Sequence, residues 1–527
     1  AKESEVAMQE TTQAERVLSR RTALRVGVLG AVSLASIPLL AACGGGAAPS
    51  TSGTPAAVAA AQPTTALAKP TAVASTQSSA APTVAKPAQA TAAATSAASP
   101  AAQAPVQSGQ VVTMNYLHFF TGVLWTGGFQ QLVAQFEKEN PTIKWNGIAT
   151  PYGQMMPKLI TLAAGGQPPD GTSMDNTEID DVALRGLLKD LDPYVSADKT
   201  INMDDFYKAR LDEQRWRGKL YGMPIDMGSS AIYYNKDAFD QAGLTYPDPK
   251  WTWNDVFSQA AKLTIDKGGK HPGESGFDPS NVRQWGFNYD NSIYRFYNAY
   301  RGYNGAEYFD QQLTKTRFNE PEGIASMQRF ADLTNKDHVS PSPAENTAMQ
   351  AGGVQPFTSG QYAMDFQWIG LIAYLHQPGV KVTNWDVVNL PESPTAAQEV
   401  GGQGFVVVDK SPHPDAAWAF TKYMVGDEAQ KYLGVNGVWF PSRKSMAQYG
   451  WPTDHKPANF VAAFYDQVDK HGVACWWFVP GWNQWQQMIV NETDALWIGR
   501  RDAKDTAAAI QQKIDPLVAN WQKNLQQ

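Results

Sequence analysis

Tyr221–Leu244 reads YGMPIDMGSSAIYYNKDAFDQAGL. Gly222 and Pro224 supply turn chemistry, and Ala231-Ile232-Tyr233-Tyr234 is a short β-type run. Asn235 or Asp237 can cap a following helix whose apolar positions include Phe239 and Leu244, and Gly243 ends it. A strand, a cap and a helix in so short a span read as a junction, where the chain leaves one lobe and enters another. Asp226–Ser230 are then the hinge candidates, and Tyr234 reads as core.

Strand and helix signals alternate on both sides of this junction. Upstream, Val111–Phe120 is strand-like, and Phe129–Asn140 carries Phe129, Leu132, Val133 and Phe136 on one helical face. Ile143–Ala149 is a second strand and Tyr152–Ala163 a second helix. The alternation predicts a mainly parallel α/β sheet with ligands at the carboxyl ends of its strands. That rule places the Trp125 loop, Tyr152 and Asp175-Asn176 on one rim. Downstream, a helix begins at Trp253, and Gln284–Tyr289 is a strand and turn. Pro321–Lys336 is helical. Phe357–Ile369 holds a short strand ending near Trp368. Trp385–Leu390 and Phe405–Val408 are strands, Ala416–Met424 and Thr506–Leu525 helices. No internal repeat is visible.

Before the first strand the composition changes twice. Residues 1–43 read as an export signal: Arg20-Arg21 in a twin-arginine-like context, the apolar run Val26–Leu40, then Leu40-Ala41-Ala42-Cys43, which resembles a bacterial lipobox with Cys43 as the lipid acceptor. The run is shorter than the roughly 20 residues of a membrane span. Residues 44–110 are Ala, Pro, Ser, Thr, Gly and Gln with almost no charge, too poor in apolar surface to offset ordering entropy. They read as a disordered tether, spanning about 45 Å at about 5–6 Å × √n. The expected location is extracytoplasmic, anchored at the membrane, with twin-arginine export.

The chain has 527 residues, 43% of them hydrophobic, which allows two or more domains with a real core. Nothing in a net charge of −7 favours nucleic acid, which normally needs a basic face. Two cysteines, Cys43 and Cys475, make no disulfide framework. Seven histidines show no metal-ligand spacing, and no cofactor or metal site is expected. There is no nucleophile elbow or Walker loop, and Gly401-Gly402-Gln403-Gly404 precedes a strand, the wrong order for a phosphate cradle. Cys475 reads as a packed thiol, and the carboxylates Glu178, Asp180 and Asp181 as a solvated face. Catalysis therefore has no support, and the chain reads as a non-enzyme.

Several segments together resemble family 1 of the extracellular solute-binding proteins, the maltose-binding-like sugar binders of ABC importers. Tyr221–Pro224 followed by Tyr234–Leu244 is similar to that family's P…YNKDxFxxAGL. Trp251–Asp255 resembles its T-W-D-E, and Phe357…Gly360-Gln361-Tyr362-Ala363-Met364 its F-x-x-G-x-x-A-M strand. Gly401–Val407 with Pro414–Phe420, and Pro441-Ser442-Arg443, continue the pattern in order. The resemblance implies a two-lobed periplasmic-binding-protein-like α/β fold with a hinge and an interlobe cleft. Residues 111–227 plus 396–434 would form the first lobe, and 228–395 plus 435–527 the second. It also implies permease subunits as partners, and a monomer.

Carbohydrate offers hydroxyls and flat C–H faces, so rings and directed polar groups are the candidate contacts. Trp368 comes first, because it follows the strand after which the family places a stacking aromatic. Trp125, Trp439, Trp476 and Trp477 follow, with Tyr152 on the rim. Asn288, Tyr289 and Asp226 could bond hydroxyls, and Gly402 would admit close backbone approach. Each of these also reads as core, turn or surface. The alternatives are a tethered carbohydrate-active enzyme, or the same fold holding a peptide, a polyol or glycerol phosphate. The last would want a basic rim.

Overall fold

The computed structural model describes residues 110–526, except 122–124, 290–291, 352–354, 392–397, 453–456 and 475–480. The export segment with Cys43, the rest of the tether, Trp476 and Trp477 lie outside the described residues.

Strands among the described residues are numbered in chain order. β1 (Val112–His118), β2 (Ile143–Ala149) and β3 (Gly171–Asp175) precede a small hairpin of β4 (Arg215–Trp216) and β5 (Lys219–Leu220). β6 (Gly222–Pro224) and β7 (Gly228–Asn235) follow closely, then β8 (Ile265–Asp266), β9 (Val282–Asn288), β10 (Tyr362–Trp368) and β11 (Trp385–Val388). β12 (Gln398–Gly401), β13 (Gln403–Val407) and β14 (Gly472–Ala474) complete the set.

They build two main sheets. The first has five strands in the order β2-β1-β3-β13-β6. The second has seven, in the order β14-β12-β7-β10-β9-β8, with β11 also paired to β7. Each sheet is buried on both faces. Tyr116, Phe120, Phe405 and Phe420 lie to one side of the first, and Leu117, Met174 and Val406 to the other. Tyr234, Phe287 and Phe366 lie to one side of the second, and Tyr233, Trp285 and Tyr362 to the other.

The sheets are mixed rather than mainly parallel. β1 runs parallel to β2 and β3, but β13 is antiparallel to both β3 and β6. In the second sheet β9–β10 and β12–β14 are parallel, and β7 is antiparallel to β10, β11 and β12. Helical crossovers force parallel pairing only where strand and helix alternate within one lobe. Strands that enter from the other lobe take the direction of the crossing.

The crossings are short. β6 ends at Pro224 and β7 starts at Gly228; β12 ends at Gly401 and β13 starts at Gln403. The second change of sheet thus falls at Gly402, later than the boundary at 396 read from the sequence, because residues 398–401 still pair with β7 and β14. A third segment joins them: Met227 N–H donates to Phe440 O at 2.9 Å, and Asp226 bridges to Pro441. At the entry to the second lobe, Asn235 caps the helix Lys236–Gln241 by accepting from Asp237 N at 3.1 Å, and Gly243 stops that turn at φ +63°.

Candidate ligand site at the lobe crossings

The carboxyl ends of β1 and β3 in the first sheet, and of β9 and β10 in the second, face the crossings. Asp175 ends β3. Its carboxylate accepts from the Tyr152 hydroxyl at 2.6 Å, from Gln403 Nε2 at 3.1 Å and from Thr177 N at 3.0 Å. Gln403 N–H in turn donates to Asp226 Oδ1 at 2.6 Å. One polar chain thus runs Tyr152–Asp175–Gln403–Asp226, from the first lobe into the hinge. Gly402 belongs to it for a steric reason. Its φ is +139°, and a Cβ there would stand 2.3 Å from Asp226 Oδ1.

Rings flank this chain. Tyr152 is 45% exposed and meets Phe119 edge-on at 5.1 Å; Phe119 lies 6.1 Å from Trp439. Trp439 sets its edge on Phe120 and Phe129, which fixes its plane. From the second lobe, Trp368 ends β10 opposite Ser230 and lies half-buried over Gly228, where a Cβ would come within 1.7 Å of the indole. Beside it Arg295 donates to Gln367 Oε1 at 2.6 Å.

Three further expected residues, Trp125, Asn288 and Tyr289, make contacts within their own lobes. Trp125 is half-buried and stacked on Trp145 at 5.2 Å and on His118 at 5.7 Å, within the packing of the first lobe. Asn288 is buried and donates to Asp365 Oδ1 at 2.7 Å. Tyr289 is buried against Phe330 at 4.6 Å. Both are interior groups of the second lobe here.

The sequence reading passed over the charged groups under the floor. Arg210, from the helix Lys208–Asp212, is fully buried. It donates to Asp226 O at 3.1 Å and Gln403 O at 3.1 Å, pairs with the buried Glu213, and lies 3.9 Å from Asp226 Oδ1. Asn176 closes the network, donating to Glu213 Oε1 at 3.1 Å while its backbone and amide oxygen bond Gly402. Burial pushes the Glu213 carboxyl up to about 8 against the opposing pull of Arg210, and pushes Asp226 up to about 7. On the rim, burial and the charges of Asp175 and Asp181 raise Glu178 to about 8. Asp181 reaches across and accepts Gly481 N–H at 3.1 Å at the start of the helix Trp482–Trp497. In the sequence Arg210 and Glu213 are an i, i+3 pair of the kind that usually marks a solvated surface.

The site is a polar floor between aromatic walls, on a pivot shared by two sheets. Such an arrangement offers hydrogen-bonding groups beside ring faces. Among the described residues no group of His, Cys, Asp or Glu is arranged to hold a metal ion.

Known proteins share this architecture. A putative binding protein of Brucella abortus (strain 2308) is 23% identical over 393 residues, 72% of this chain and 88% of its own. The arabinooligosaccharide-binding protein of Bacillus subtilis (strain 168) is 26% identical over 309 residues, 57% of this chain and 66% of its own. An ABC substrate-binding protein from Listeria monocytogenes, solved in complex with cycloalternan, superposes with a TM-score of 0.63 at 25% identity, covering 77% of this chain and 98% of that one. The family model for bacterial extracellular solute-binding proteins matches residues 123–431, a stretch that holds the first two crossings and the polar floor between them, and this chain belongs to that family.

Proposed function

We propose that the chain captures a neutral oligosaccharide between its two lobes and delivers it to the permease of an ABC importer. The observation that carries this reading is the floor Tyr152–Asp175–Gln403–Asp226 beside the rings of Tyr152, Phe119, Trp439 and Trp368. Carboxylate and amide groups suit sugar hydroxyls, and ring faces suit the C–H faces of pyranosides. The relatives point the same way, through an arabinooligosaccharide-binding protein and a cycloalternan complex.

Charge favours a neutral ligand over a phosphorylated one. The carboxylates of Asp175 and Asp181 stand here beside Glu178 and Asp226, whose carboxyls burial pushes toward the neutral form, while Arg210 is engaged by Glu213 and two carbonyls and Arg295 by Gln367. An added phosphate would face carboxylates without a free guanidinium among these residues. The family consists of binding proteins, which argues against turnover. The lipobox Cys43 supports a lipid anchor, with a flexible tether to hold the body off the membrane. Arg20-Arg21 support export by the twin-arginine route. A monomer suffices for this mode of action.

A thermal-shift panel of neutral oligosaccharides, a peptide mixture and sn-glycerol 3-phosphate tests the ligand class. A ligand at 100 times its Kd adds about 2.7 kcal/mol of apparent stability. The expected result is a raised Tm with at least one neutral oligosaccharide and none with the phosphate ester. A rise with the ester or the peptides alone overturns the assignment.

A further inference from the structure

We propose that Arg210 is a positioning residue for capture: it rivets the first two lobe crossings to each other, and its two carboxylate partners, Glu213 and Asp226, regulate how firmly. The inference concerns the pivot and does not depend on which ligand the cleft holds.

The geometry is specific. Arg210 Nε holds the carbonyl of Asp226 on the first crossing, and Nη2 holds the carbonyl of Gln403 on the second. Nη1 is held by Glu213, on the turn that follows its own helix. A single fully buried guanidinium therefore holds a carbonyl on each of the two crossings. Asp226 adds a second tie, accepting Gln403 N–H across the same gap at 2.6 Å. Side chains that face the carboxylates come from each neighbouring element. Asp175 ends β3, Asn176 follows it, and Tyr465 lies on the segment Val461–Asp466. One cation thus stands among Glu213, Asp226 and Asp175. Both partner carboxylates serve as hydrogen-bond acceptors, so a proton on either weakens a tie. Burial holds both near neutrality in their affinity for that proton, at about 8 and about 7.

Interlobe distance in the full-length chain without ligand tests this. Dyes are placed on Lys138→Cys in the first lobe and Lys262→Cys in the second, both exposed positions, with Cys43→Ser and Cys475→Ser. The expected result is a transfer efficiency that changes between pH 6 and pH 9 in the parent, around the values held by Glu213 and Asp226. Glu213→Gln should remove most of that change, and Asp226→Asn the remainder. Arg210→Lys keeps the charge but cannot reach two carbonyls and a carboxylate together, so its distance distribution should broaden while its far-UV circular dichroism stays that of the parent. A parent whose distance ignores pH, or a Glu213→Gln chain that follows the parent's pH profile, overturns the proposal. If Arg210→Lys fails to fold, the two carboxamide variants still decide it.

Discussion

Around Trp253 and Phe330 the second lobe buries ring against ring. Phe330 meets Trp253 at 5.2 Å, Phe257 at 5.9 Å and Tyr289 at 4.6 Å. Around Arg210 the pivot buries a guanidinium, two carboxylates, a carboxamide and the carbonyls of two crossings. The ring cluster and the Arg210–Glu213 pair are buried, with Asp226 partly exposed, and the two places do different mechanical work. Apolar packing is non-directional and resists any change of volume. Hydrogen bonds are directional, so a network can hold one angle firmly and be reset by a proton. A lobe that must stay rigid is filled with rings; a pivot that must turn is tied with polar groups.

The contrast can be broken from either side. Phe330→Ala should have the largest effect on stability, about 3–5 kcal/mol in urea denaturation, since the rings around it cannot collapse to fill the space. A loss under about 1 kcal/mol would mean that the second lobe repacks readily, which the comparison denies. Arg210→Met should cost about 3 kcal/mol, because it strands Glu213 and two carbonyls in a buried site. Adding Glu213→Gln to it should restore only part of the loss, because the carbonyls of Asp226 and Gln403 stay unpaired. If the double variant is no more stable than the single one, the charge is not what the pivot depends on.

The last test is the slope of stability with pH. Glu213 and Glu178 are held up at about 8, and Asp226 and Asp180 at about 7, by burial first. The folded chain therefore keeps protons that the unfolded chain releases above its ordinary carboxyl range. Stability from these groups is present below that range and is lost as pH rises through 7 to 8. Melting temperature should fall between pH 5 and pH 8, less steeply in Glu213→Gln. A flat profile in the parent would remove the acidic half of the contrast.

Much of the scaffold was legible because its signals are local. Ile143–Ala149 is the strand that its pattern predicts, Pro321–Asn335 is the expected helix less one residue, and Asn235 caps where capping chemistry places it. The site was legible in part. Tyr152 and Asp226 lie on the polar floor, and Trp439 and Trp368 flank it. Trp125 shows the limit: its partners Trp145 and His118 reach it through the pairing of β1 with β2, which no spacing near residue 125 reveals. Arg210 and Glu213 were hidden for a related reason. A charged pair three residues apart has the same sequence pattern on a surface and in a pivot; only the crossings that cover it decide which it is.

The position of β13 has a consequence for how the chain is made. It lies between β3 and β6, so the first sheet has a gap in its middle until Gln403–Val407 arrive. Synthesis proceeds at about 5–20 residues per second. For the time needed to make everything from β7 to β12, an emerging chain presents β3 and β6 as two open edges, the kind of surface on which strands from other chains add. A chaperone that covers β3 during this interval would protect the first lobe, and a truncation before Gln403 leaves it without the strand that joins β6 to the rest of the sheet.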